Sequence, residues 1–329
     1  MVTIVDVAKL ANVSIATVSR VLNSDFMVSP EKKKQVLDAI RQLDYKPNRH
    51  VKISGNKVII CVVSVFIEDL LYSLRQTALE YGYIFTLYIC NDKKNENDLS
   101  IFIKSFSKNC LAGILFFGYS PVSDPLWELV KKIPAVLLYD TAVSANTICT
   151  VSFNERQISY DLTNVLLEKG CTSPVLVCPL SRQENLFPYS SKLRIRGFRD
   201  ALEDHGLTFS DKNVIEKDVT IEEGIRLADE LVKSPLHPDG ILSMCTPTIL
   251  GCYYRLSQCK VPMDNILLAA FDTEEMIDAF HMPVIKAISD FSSLGQEGIK
   301  TLHGIITGDI TESRKIYLNH TIINEEKGS

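Results

Sequence analysis

Ile4–Asn23, IVDVAKLANVSIATVSRVLN, contains two short helical patterns separated by the break Asn12-Val13-Ser14. Ile4, Val7, Ala8 and Ala11 recur at three- and four-residue spacings, which places them on one helical face. Ser14 suits the N-cap of the second helix, since its hydroxyl can accept from a free backbone N–H two or three residues on. That helix turns Val18, Val21 and Leu22 inward. Ile15, Ala16, Thr17, Ser19, Arg20 and Asn23 are left for its outer side. Two short helices joined by a tight turn, with a small, polar and basic outer face on the second, describe a helix-turn-helix that enters a DNA major groove. Taken alone, the pattern is equally compatible with a helix pair inside an all-α core.

Charge separates this stretch from the rest of the chain. Residues 1–57 carry ten Lys and Arg against five acids, although the 329-residue chain has a net charge of −5. A small basic head on an acidic body suits a DNA-binding module attached to a soluble regulatory domain. The length suggests two or three domains, and 46% apolar residues are enough for an ordinary core. No stretch approaches the roughly 18–20 apolar residues of a membrane span. The N-terminus is acidic at Asp6 and lacks a basic, apolar leader, so a cytoplasmic protein without a signal peptide is expected.

All nine cysteines lie after residue 60 without a CxxC pair, which suits a reduced compartment better than a disulfide scaffold. Cys245, Cys252 and Cys259 recur every seven residues. No His or carboxylate is interleaved at ligand spacing, so they read as small buried residues and no metal or other cofactor is expected.

Ser29-Pro30 opens a third helix, with Ser29 as cap, Pro30 at the first helical position, and Val36, Leu37, Ile40 and Leu43 as its apolar stripe. Lys32, Lys33 and Lys34 fall in its first turn, where they face phosphate or simply solvent. From Val58 onward, apolar runs of strand length alternate with helical segments. The runs are Val58–Phe66, Ile84–Cys90, Gly113–Phe117, Ala135–Tyr139, Pro174–Cys178, Gly240–Met244, Ile266–Phe271 and Val284–Ser289. The helical segments include Asp69–Tyr81, Asn97–Ser107, Glu155–Glu168, Ser191–His205, Ile221–Lys233 and Leu294–Ile306. Such alternation implies parallel, doubly wound sheets, and the strands are too many for one sheet of common size. The expected fold is an all-α head followed by an α/β core of two doubly wound subdomains with a cleft between them.

The order Thr3-Ile4-x-Asp6-Val7-Ala8, then Val13-Ser14-x-x-Thr17-Val18-Ser19-Arg20-Val21-Leu22-Asn23, closely resembles the head-piece signature of the lac repressor (LacI/GalR) family. Val28-Ser29-Pro30 and Tyr45-x-Pro47-Asn48-Arg49 follow at the expected distances. The resemblance implies that Ile15 and Ala16 read bases, through methyl contacts because they offer no donors, and that Arg20 pairs with a guanine edge. It also implies DNA contacts from Thr3, Ser14, Thr17, Ser19, Asn23, Met27, Tyr45 and Asn48. The segment 49–57 departs from the family. Where relatives carry a hinge helix that wedges a leucine into the minor groove, this chain offers only Ile53, followed by Ser54 and Gly55, so it reads as a linker.

The resemblance further implies a core like a sugar-binding periplasmic protein, with chain crossings near 152–158 and 289–292. The domains are then 1–48 (head), 49–57 (linker) and 58–329 (effector and dimerisation core). Within the core, the first subdomain spans about 58–155 and 291–312, and the second about 156–290 and 313–329. Ligands of such folds bind outside the carboxyl ends of the strands. Asp140, Asn154 and Asp272 follow strands there, and Arg194 precedes Gly197-Phe198 as the family's ligand arginine does. Asp140 and Asn154 are also natural helix or turn caps. Phe66, Tyr139, Phe187 and Tyr189 are candidates for an aromatic face. Arg196 reads as a surface residue and Trp127 as packing.

Two departures alter the pocket. Thr246-Pro247 stands where the family has Asn-Asp, and the loop Val65–Asp69 is short. The late portion most resembles fructose- and sucrose-type repressors, which makes a sugar phosphate, met by Arg194 with Arg182 or Lys192, one expected effector beside a free sugar. The reading is a dimeric, sequence-specific DNA-binding regulator, most simply a repressor, on a palindromic operator. No phosphate loop, catalytic triad or paired-carboxylate motif points to an enzyme. The alternatives are a regulator that answers to a partner protein with no small-molecule effector, and a sugar-binding protein.

Overall fold

The structure, a computed structural model, describes residues 4–22, 29–43, 57–90, 96–106, 110–119, 124–139, 148–180, 188–233, 238–259, 266–272 and 282–324. The chain divides into two compact units, residues 1–52 and 53–329.

The first unit holds α1 (Ile4–Leu10), α2 (Ile15–Leu22) and α3 (Pro30–Gln42). Its core is built from Val7, Ala8 and Ala11 of the first helix and turn, Val18 and Val21 of α2, and Val36 and Ala39 of α3. Val13, Ile40 and Leu43 lie against it. Leu37, expected in the stripe, is 39% exposed. Val36, Ala39, Ile40 and Leu43 already complete the i, i+3, i+4, i+7 face, and Leu37 falls off it. Pro30 occupies the start of α3 as expected, but the Ser29 side chain makes no capping hydrogen bond.

The second unit contains two six-stranded sheets. The elements of the first half are β1 (Val58–Val63), α4 (Glu68–Glu80), β2 (Ile84–Ile89), α5 (Glu96–Ser105), β3 (Leu111–Phe117), α6 (Asp124–Val130), β4 (Ala135–Leu138) and β5 (Cys149–Phe153). The chain continues with α7 (Glu155–Glu168), β6 (Pro174–Pro179), α8 (Pro188–Asp204), β7 (Val214–Lys217), α9 (Ile221–Lys233), β8 (Gly240–Ser243), α10 (Thr246–Gln258), β9 (Leu267–Asp272) and β10 (Val284–Ser289). It ends with α11 (Phe291–Thr307), β11 (Lys315–Leu318) and β12 (His320–Ile323). The first sheet runs β11-β5-β4-β3-β1-β2, all parallel, and the second β12-β10-β9-β8-β6-β7, parallel except for the β10–β12 pair.

Strand periodicity explains why both faces are covered. Ile59, Cys61 and Val63 of β1 join one apolar cluster with Leu70, Leu74, Leu294 and Ile299, while Val58, Ile60 and Val62 join another with Leu99, Ile103 and Leu126.

The chain crosses between the sheets three times. The first two crossings fall at helix caps: Asn154 Oδ1 accepts from the Gln157 amide at 3.3 Å, and Asp290 Oδ1 from the Ser293 amide at 2.9 Å. The third differs from the expected boundary at 313. β11 still pairs with β5 of the first sheet, and the chain changes sheets at Asn319. The segment KIYL alternates exposed and half-buried residues at a sheet edge, so it lacks the apolar run by which the central strands announce themselves.

Candidate functional site

The turn between α1 and α2 is closed by two backbone hydrogen bonds. The Val13 amide donates to Ala8 O at 3.0 Å and the Asn12 amide to Lys9 O at 3.2 Å, with Asn12 at φ +51°. That is a Schellman arrangement in which Asn takes the left-handed position glycine usually holds. Ser14 then begins α2. Its Oγ accepts from the Thr17 amide at 3.1 Å and lies 2.9 Å from Thr17 Oγ1.

Among the described residues the buried core of this unit is Val and Ala alone, a small apolar area beside which a cap matters. Ser14→Ala is expected to lower the stability of the first unit by about 1 kcal/mol. Amide hydrogen exchange over 15–22 in the full chain reports it as faster exchange, and unchanged protection would mean the cap is dispensable.

Ser14 is exposed, Ile15 is 48% exposed and Thr17 is half-buried, so the amino end of α2 presents an open apolar and hydroxyl surface. Ala16, Ser19 and Arg20 belong to the same short helix. Lys32, Lys33 and Lys34 are all exposed on α3. Thr3, Asn23, Met27, Tyr45, Asn48 and Ile53 lie outside the described residues.

In the second unit, the carboxyl ends of β4, β5, β8 and β9 converge on Arg194 of α8, whose side chain is only 13% exposed. Its Nε donates to Glu155 Oε2 at 2.6 Å, Nη1 to the Met244 carbonyl at 3.2 Å and Nη2 to Tyr139 Oη at 2.8 Å. The guanidinium carbon lies 3.8 Å from the Phe271 ring centroid, a cation–π contact. Tyr139 follows β4 of the first sheet, Phe271 lies in β9 of the second and Glu155 opens the helix at the first crossing between them, so Arg194 touches both halves of this unit.

Burial disfavours the charge on Arg194, but the Glu155 carboxylate and Tyr139 outweigh it and hold its pKa above the usual guanidinium range. The neighbouring Cys245 thiol is pushed up to about 11 by burial, with Arg194 pulling against this, and so stays neutral. Tyr139 adopts φ +67°, an uncommon conformation for an aromatic residue and one that recurs at ligand-binding positions.

The remaining expected residues divide. Thr246 is buried at the start of α10, its Oγ1 donating to Phe271 O at 3.3 Å, which ties the ends of β8 and β9 together. Asn154 sits at the cleft edge but uses its side chain as the cap of α7. Phe66 is 67% exposed in the loop after β1. Asp272 ends β9. Asp140, Phe187 and Arg182 lie outside the described residues.

Four aromatic residues gather in the buried core, Tyr139 among them. Phe117, Tyr139, Phe153 and Phe291 pack with ring centroids 5.4–6.2 Å apart. Of the expected aromatic face, Tyr139 takes part. Phe117 and Phe153 are the last residues of β3 and β5, so listing strand ends would have found them. Glu155 gave no signal beyond opening a helix.

Two family models match the chain: "Bacterial regulatory proteins, lacI family" over residues 3–48, and "Periplasmic binding proteins and sugar binding domain of LacI family" over residues 63–321. Among similar proteins are catabolite control protein A of Priestia megaterium, 24% identical over 98% of this chain and 97% of that protein, and the ribose operon repressor of Escherichia coli K12, 26% identical over the full length of both. Similar solved structures include the transcriptional regulator CelR in complex with cellobiose (TM-score 0.68, 20% identity) and the lac repressor bound to ONPG (TM-score 0.67, 20% identity). Each covers 98% of both chains.

Proposed function

The chain belongs to the lacI family of bacterial regulatory proteins, and from that premise we propose that it is a DNA-binding transcriptional repressor that grips a palindromic operator as a homodimer and changes that grip when a small sugar occupies its cleft. The observation that carries this reading is α2. It is a helix capped by Ser14, set by the Asn12 turn, and presents Ile15 and Thr17 at its open amino end. A helix presented this way fits the major groove, where Ile15 and Ala16 meet thymine methyls and Arg20 meets guanine.

Pairing of two copies has its own support. The edge strand β2 leaves Ile84, Leu87 and Ile89 exposed, and Tyr72 and Leu79 of the adjoining α4 are exposed as well. An open apolar edge of this kind needs a partner, and a second copy of the chain supplies one with two-fold symmetry to match the operator. No helix among the described residues is long and apolar enough to cross a membrane. We place the protein in the cytoplasm, with its DNA. The family and fold are those of regulators rather than enzymes.

The test begins with selecting an operator from a random duplex library using the full-length protein. Arg20→Ala should weaken binding to that operator by about 1–3 kcal/mol and to random DNA by less. Equal losses on both would end the base-reading role of Arg20. A second reading, a regulator that answers to a partner protein and to no small molecule, draws on the way Glu155, Tyr139 and the Met244 carbonyl already engage the Arg194 guanidinium.

A further inference from the structure

Arg194 is the cation to which an anionic sugar ester would be drawn, yet its charge is already matched. The Glu155 carboxylate, 3% exposed, accepts from Arg194 Nε at 2.6 Å. Its other oxygen, Oε1, is fully enclosed and has no hydrogen-bond partner among the described residues. Most buried carboxylate oxygens are hydrogen-bonded, because an orphaned one is costly where water is excluded. Here Glu155 cancels the charge of Arg194 and keeps an unengaged oxygen beside it, so the guanidinium offers an anion no net positive charge. The nearby Cys245 is a neutral thiol, and Tyr139 Oη is engaged as an acceptor from Arg194.

We propose that Glu155 sets the charge selectivity of the cleft: the effector is an uncharged, hydroxyl-rich ligand of the free-sugar class, and phosphorylated sugars are excluded. This rests on the reading that the cleft binds a small sugar. A phosphate brought to Arg194 stands beside a buried carboxylate, and like charges repel strongly in a water-poor site. A free sugar carries no charge and meets no such repulsion. Lys192, the other described cation expected to meet a phosphate, is exposed on α8. Glu155 thus acts as a specificity residue through Arg194, as a repulsive element against the wrong ligand class.

The experiment is isothermal titration and thermal shift of the full-length protein against free pentoses, hexoses and disaccharides, their phosphate esters, and inorganic phosphate. The wild type should bind a free sugar at least about ten-fold more tightly than its ester, and should ignore inorganic phosphate. Glu155→Gln keeps the size and one acceptor for Arg194 but removes the negative charge. It should shift the ratio by on the order of ten-fold toward the ester.

A wild type that prefers the ester overturns the proposal and leaves the sugar-binding reading standing, as does an unchanged ratio in folded Glu155→Gln. A wild type silent to the whole panel, with operator binding intact, removes both and makes the pair structural. Should Glu155→Gln fail to fold, the wild-type ratio between sugar and ester decides alone.

Discussion

Arg194→Ala is expected to destabilise the second unit by about 3–5 kcal/mol, because it leaves the Glu155 carboxylate buried and unpaired. Removing the partner of a buried charge costs far more than the pair contributes net, since the remaining carboxylate has neither its counter-ion nor water. The loss also frees the Met244 carbonyl and Tyr139 Oη and uncovers the face of Phe271.

The sign of the pH dependence follows from Arg194 itself. Its pKa is raised in the folded state, so its contribution is complete at every pH below the ordinary guanidinium range and is lost only as pH rises past the folded value. The penalty should therefore persist through neutral pH. Urea unfolding of the wild type, Arg194→Ala, Glu155→Gln and the double variant measures the coupling. Much of the Arg194→Ala loss should return in the double variant, which carries no orphaned charge. Additive single effects would mean that the two side chains do not form the pair described, and a sugar-induced thermal shift that survives Arg194→Ala would remove Arg194 from the binding site.

Gly197→Ala is the second large effect. An added Cβ would lie 2.0 Å from the carbonyl oxygen of Arg156 and 3.0 Å from Ser159 Cβ, so α8 and α7 cannot keep their separation. The obstacle is backbone of the facing helix, which no rotamer change relieves. A loss of about 3 kcal/mol is expected, near the upper end for overpacking. The consequence for function is specific, because Arg194 stands on α8 one turn before Gly197 and Glu155 opens α7. Moving the helices apart lengthens the Arg194–Glu155 contact, and ligand affinity should fall together with stability. A urea midpoint equal to the wild type would show that α7 and α8 pack less closely than described.

How much of this was legible beforehand depends on where each residue draws its energy. The head was readable because its signals are local. Val7, Ala8, Ala11, Val18 and Val21 follow helical spacing, and Ser14 caps the helix it precedes. The miss at Leu37 arose because Val36 and Leu37 are neighbours of similar hydropathy, and only the packing of three helices selects which faces the core. In the core, the central strands β1, β3 and β4 are apolar throughout and were found. The edge strands β7, β11 and β12 carry polar residues on their open side and were not.

The sequence by itself determined the head, the alternating core and the position of Arg194 three residues before Gly197, because periodicity, caps and motif spacing act within a few residues along one segment. Tertiary structure alone decided what Arg194 meets. Glu155 is 39 residues away in the chain, Met244 is 50 and Tyr139 is 55. They converge because strands of two parallel sheets end at one cleft, and no local pattern records which carboxylate reaches a guanidinium there.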